Sequence, residues 1–132
     1  MREISVALNA LSQRVIGSGI EVHRALGPGC LERIYEEAFA IELSLCGIRF
    51  ERQYPVAVMY KGHPCGEGVL DFLIEGQLVA ELKAVDKLTK LHEAQVLSYL
   101  KVTGPELGLL LNFQAVMLKD GIQRVIRSSD QS

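Results

Sequence analysis

The stretch from Asp71 to Lys83 constrains this chain more than any other. Phe72-Leu73-Ile74 and Gln77-Leu78-Val79-Ala80 read as β-strand runs on either side of Gly76, a spacing that predicts a hairpin. With the turn centred on Gly76, residues equidistant from it face each other, and Asp71 falls opposite Glu81. Opposed residues in an antiparallel pair have Cβ atoms about 5 Å apart on one face. Two like charges there repel, and a divalent cation between them removes the objection, because hard cations are held by carboxylates. Lys83, two residues past Glu81, projects from the same face. A two-residue turn would instead put Glu81 opposite Leu70, so the register decides the reading.

Acids and lysines also mark the solvated face of an antiparallel sheet, where a Glu81–Lys83 ion pair would be worth little. The neighbours weigh against that. Val69 and Leu73 share the Asp71 face by alternation, and Val79 shares the Glu81 face. Both faces of both strands therefore read as apolar, and charges at such positions are costly unless paired or metal-bound.

Periodicity supplies the surroundings. Ile4, Leu8, Leu11 and Val15 recur at helical spacing, predicting a helix from about residue 3 that Gly17 and Gly19 weaken and Gly27-Pro28-Gly29 ends. A second helix is expected over Leu31–Cys46, closed by Gly47, and a strand over Ile48–Tyr60 before a turn at Lys61-Gly62-His63-Pro64. After the hairpin come a third helix, Leu91–Val102, and a buried strand, Leu107–Phe113. Ala115–Leu118 and Gln123–Ile126 could pair around Asp120-Gly121, with a short helix as the alternative for the second. The order is helix, helix, three strands, helix, strand, and a sheet with helices packed on it is the economical architecture.

Other polar residues fall on these elements. Glu32 opens the second helix, as a helix-dipole acid or a member of the site, and Tyr35 shares its face. On the third helix His92, Gln95 and Tyr99 form a polar stripe opposite Ala94, Leu97 and Leu100. His92 reads as solvated, whereas Gln95 and Tyr99 can hydrogen-bond a phosphate or orient a carboxylate. His23 is placed near the site.

Composition bounds the rest. The 132 residues, 48% apolar and 23% charged, suit one domain over 1–127 with a disordered tail at 128–132. There is no apolar run long enough for a membrane span, and Met1-Arg2-Glu3-Ile4 lacks a signal-peptide core. Three cysteines, Cys30, Cys46 and Cys65, without CxxC spacing argue against a disulfide framework, a zinc site or an iron–sulfur site. The cytoplasm is the expected compartment. A net charge of −2 lacks the basic footprint of many nucleic-acid proteins, although a metal site concentrates acids locally. No GxSxG, GxxxxGK[ST], HExxH or Rossmann glycine pattern offers competing chemistry.

Gly29-Cys30-Leu31-Glu32-Arg33-Ile34-Tyr35 is a G-x-x-E-x-x-Y string, and its flanks, Ile20–Pro28 and Glu36-Glu37-Ala38, agree with it. The chain resembles the small bacterial GxxExxY proteins of the PD-(D/E)XK nuclease superfamily, from roughly Ile4 to Ile126. The resemblance implies an α/β, restriction-endonuclease-like core with a mixed central sheet flanked by helices. It implies a phosphodiesterase using Mg²⁺ or Mn²⁺ on nucleic acid, DNA favoured, with no membrane role. Asp71 matches the metal-binding Asp; Glu81 and Lys83 match the (D/E)-x-K element; Glu32 matches the acid many members carry on the preceding helix. The carbonyl of Leu82 becomes a further metal ligand. Gln95 and Tyr99 are similar to the Q-x-x-x-Y element of RecB-like nucleases, and Tyr35 and His23 join them as candidate substrate contacts. One departure is Leu70, where a Pro often precedes the Asp. Small size and mild acidity suit an alternative, a catalytically silent nuclease-fold module that binds nucleic acid or protein. The apolar run Leu107–Leu118, with Met117 and Leu118 expected exposed, is compatible with a homodimer.

Overall fold

The computed structural model describes residues 4–128; the tail expected at 128–132 lies outside them except for its first residue. Two helices come first: α1, Val6–Leu26, and α2, Glu32–Leu45. Ser5 caps α1, its Oγ accepting from the Leu8 amide at 3.1 Å. Gly17 and Gly19 do not break α1. A Cβ on Gly19 would stand 3.1 Å from Leu118 Cδ2, so this glycine lets the helix pack closely on the segment beneath.

Five strands follow, β1 (Phe50–Tyr60), β2 (His63–Ile74), β3 (Leu78–Lys83), β4 (Leu107–Asn112) and β5 (Ile122–Ile126), with α3 (Lys90–Thr103) between β3 and β4. They form one mixed sheet in the order β1-β2-β3-β4-β5. Only β3 and β4 run parallel, because only they are joined by a helical crossover. Every β4 residue is buried, as expected for a strand covered on both faces. Among the described residues no helix is long and apolar enough to cross a membrane.

Two apolar layers cover the sheet. On one face Phe39 and Leu43 of α2 pack in a cluster with Phe72, Ile74, Leu82 and Leu109 of the sheet, which α1 also joins. On the other face Val96 of α3 packs in a cluster with Val56, Leu70, Leu73, Val79 and Leu110. Gly108 brings α3 down on β4: a Cβ there would meet Val96 Cγ1 at 2.5 Å.

Several expectations are corrected. The turn before β2 shrinks to Lys61 and Gly62, both left-handed, and β2 starts at His63 with Pro64 in the strand. The outer half of β2 has no partner on the β3 side, and an edge tolerates a residue that cannot donate. Ala115–Leu118 is not a strand; a 3-10 turn at Leu118–Gly121 leads into β5, which pairs with β4 instead. Leu118 is buried at 3% exposure, while Val116 and Met117 are exposed. On α3 the buried residues are Val96 and Leu100, and Ala94 faces solvent.

Candidate active site

The hairpin has the register that places Asp71 and Glu81 together. Phe72 pairs with Ala80, Leu73 with Val79 and Ile74 with Leu78. Glu75 and Gly76, at φ 52° and 66°, make the bend, and the Gln77 amide closes it on Ile74 O at 2.9 Å. The ladder then stops. At the next position the Asp71 amide donates to Glu81 Oε2 at 2.5 Å, and the Leu82 amide donates to Asp71 Oδ2 at 2.9 Å. Two carboxylates thus replace the strand-to-strand bonds where β2 and β3 part. From there β2 continues with β1 alone, and β3 continues with β4.

Simple alternation fails at this fork. Leu70 belongs to the α3-side layer and Phe72 to the α2-side layer, although two residues apart should share a face. The β2 strand turns over at Asp71, so Val69 does not share Leu73's burial and is 43% exposed.

Glu81 is 3% exposed. Burial first, and the Asp71 charge second, raise its carboxyl from the ordinary 4.5 to about 8, against the pull of the Asp71 amide and Lys83. Asp71 rises from 3.8 to about 6, again mainly through burial, helped by the charges of Glu32 and Glu36. A single ammonium, Lys83, does not offset two carboxylates in such a place.

Lys83 Nζ lies 3.5 Å from Gln95 Oε1, a long hydrogen bond that joins β3 to α3. One turn on, the Tyr99 ring lies over β2 at Gly68, where a Cβ would come within 3.3 Å of it. The Tyr99 phenol is raised by burial and then by the charges of Glu81 and Asp71, and it also bonds the Gln95 side chain. Gln95 and Tyr99 therefore flank the acid pair from the α3 side. Glu32, exposed in the first turn of α2, reaches the same pair electrostatically from the other side.

Two expected substrate contacts have other places. Tyr35 is fully buried: its hydroxyl donates to Gly27 O at 2.5 Å and accepts from the Cys30 amide at 3.1 Å, and its ring stacks on Phe113. It pins the loop between α1 and α2. His23 is also buried, with Nε2 2.8 Å from Ala115 O, and it lines a cleft with Ile20, Pro28 and Met117 rather than the acid pair.

Residues not anticipated from the sequence complete the surroundings. Glu36, one turn after Glu32, is held by Arg52 Nη2 at 2.8 Å and by the Gln53 side-chain amide. The i, i+4 spacing of Glu32 and Glu36 was a signal for the first; nothing local marks Arg52 or Gln53. Asn112, 4% exposed, bonds both backbone groups of Val85, and the Phe113 amide donates to Lys83 O, fixing the exit from β3.

Among the described residues no three acids, histidines or cysteines converge closely enough to hold a metal by themselves. One buried and one half-buried carboxylate with a neighbouring carbonyl still suit Mg²⁺ or Mn²⁺. Mg²⁺ commonly takes one or two protein carboxylates and fills its shell with water and substrate phosphate. A cation between Asp71 and Glu81 would offset the burial and carboxylate repulsion that raise both carboxyls.

A mixed sheet carrying an acid pair and a lysine at a fork, with helices on both faces, defines a restriction-endonuclease-like α/β fold. The family model for the PD-(D/E)XK nuclease superfamily matches residues 9–125, and the chain belongs to that superfamily, whose nucleases generally use divalent metal ions. No curated protein and no solved structure matches the chain.

Proposed function

We propose that the protein is a Mg²⁺- or Mn²⁺-dependent phosphodiesterase acting on nucleic acid, with DNA the favoured substrate, built as a single RecB-like domain of the GxxExxY type over residues 1–127. The observation that carries this reading is the acid pair at the fork, each carboxylate bonded to the other strand's backbone and each raised by burial.

Asp71, Glu81 and the Leu82 carbonyl would hold the ion, with Glu32 completing its surroundings from α2. When bound, such an ion polarises the phosphodiester and acidifies a water. Lys83, steadied by Gln95, orients the attacking water and stabilises charge on the phosphate. Gln95 and Tyr99 offer an amide and a hydroxyl to the phosphate backbone from α3. The buried sheet excludes bulk water from Glu81, which strengthens the interactions of its carboxylate.

The test is cleavage of single- and double-stranded DNA with Mn²⁺ by wild type, Asp71→Ala and Lys83→Ala. Wild type cleaves, and each variant loses on the order of 100-fold or more. Equal cleavage by all three overturns the reading. Nucleic-acid binding without cleavage, indifferent to Asp71, would instead favour a silent binding module.

A further inference from the structure

Three residues other than glycine have a left-handed backbone among the described residues: Gln53, Lys61 and Glu75. Lys61 and Glu75 precede glycines in hairpin turns, where that conformation is routine. Gln53, at φ 50°, is in the middle of β1. A residue with a Cβ does not adopt this region inside a strand without a reason.

Its position supplies one. Arg52 pairs with Phe72 and Tyr54 pairs with Leu70, so the β1–β2 register is the same on both sides, yet the Gln53–Asp71 pair between them is missing. Both strands exchange faces at this step. Phe50 packs with the α2-side layer and the Arg52 guanidinium sits 5.9 Å from the Phe72 ring, whereas Tyr54 and Val56 pack on the α3 side. Opposite, Phe72 and Leu70 divide in the same way. The Gln53 side chain is tied down as well, donating to Glu36 beside Arg52. The inversion, the lost pair and the departure of β2 from β3 all coincide at Asp71.

We propose that Gln53 is a positioning residue: its left-handed backbone turns β1 and β2 over together and so presents the Asp71 carboxylate at the fork. This rests on the reading of Asp71 and Glu81 as a metal site. The role belongs to the backbone of Gln53 and does not depend on the side-chain bond to Glu36. Glycine at this position keeps the site, because it enters the left-handed region without penalty. A β-branched residue does not, because it favours the regular strand that would restore the missing pair.

The experiment compares full-length wild type, Gln53→Gly, Gln53→Val and Asp71→Asn by calorimetric titration with Mn²⁺ alone and by thermal melting in EDTA. Both Gln53 variants lack the amide, so a difference between them reports the backbone. Gln53→Gly binds Mn²⁺ within roughly threefold of wild type and melts no lower. Gln53→Val keeps a cooperative melt and weakens Mn²⁺ binding by on the order of tenfold or more, the effect expected when a ligand's support is lost. Wild-type affinity in a folded Gln53→Val, or equal losses in both variants, overturns the proposal. Gln53→Gly is decisive even if Gln53→Val does not fold, since weak Mn²⁺ binding with a lowered melt would refute it alone. If Mn²⁺ binds wild type but not Asp71→Asn while Gln53→Val is unaffected, only the role of Gln53 falls. If wild type binds no Mn²⁺, the metal reading fails and takes this proposal with it.

Discussion

Replacing Glu81 by Gln should stabilise the metal-free protein at alkaline pH, although Glu81 is buried and hydrogen-bonded. The native carboxyl is raised from 4.5 to about 8. Below pH 4.5 it is protonated in both folded and unfolded chains, and its contribution is fully present. Between those values the unfolded chain releases a proton that the native chain keeps, so stability falls as pH rises. Each pH unit in the window is worth ~1.4 kcal/mol, which bounds the loss at about 5 kcal/mol by pH 8. Gln cannot ionise, and its carbonyl can still accept from the Asp71 amide. Allowing for an imperfect fit, Glu81→Gln should gain roughly 2–4 kcal/mol over wild type at pH 8 in EDTA and be near neutral at pH 5. That is a large share of the ~5–15 kcal/mol typical of a whole domain. Urea midpoints at pH 5, 6.5 and 8 measure it. Saturating Mn²⁺ should reverse the order at pH 8, because wild type then has a cation for its anions and the variant has lost a ligand. A Gln variant less stable than wild type at pH 8 in EDTA, or a pH-independent difference, would refute the reasoning.

Further outcomes follow from the same geometry. Tyr35→Phe removes the hydroxyl that bridges Gly27 and Cys30, and should cost about 1–3 kcal/mol in denaturant melts while leaving Mn²⁺ affinity unchanged, which separates loop anchoring from substrate contact. Gly108→Ala pushes a methyl into Val96 and should destabilise by roughly 1–3 kcal/mol, read as a lower melting temperature. Mn²⁺ affinity should strengthen between pH 6 and pH 8, since binding displaces protons from Asp71 and Glu81; calorimetry in buffers of different ionisation enthalpy should show proton release.

Much of this was legible in the chain. Gly76 between two β-prone runs set the hairpin register, and the helices fell within one or two residues of their expected ends, apart from the start of α1. These features depend on local period and turn chemistry. The fork was not legible, because alternation assumes a regular strand and cannot foresee that Gln53 and Asp71 turn β1 and β2 over. Tyr35 shows a related limit. Helical spacing put it near Glu32, but only tertiary packing on Phe113 decides that its hydroxyl serves the α1–α2 loop. Leu118 looked free at the end of an apolar run, and Gly19 on a distant helix makes room to bury it.

The most direct measurement is a crystal soaked in Mn²⁺, with anomalous scattering used to locate the ion. The account predicts one peak at the fork, within coordination distance of a carboxylate oxygen from each of Asp71 and Glu81 and of the Leu82 carbonyl. A well-diffracting soaked crystal with no peak between those two carboxylates, or with Mn²⁺ held only elsewhere, would contradict it.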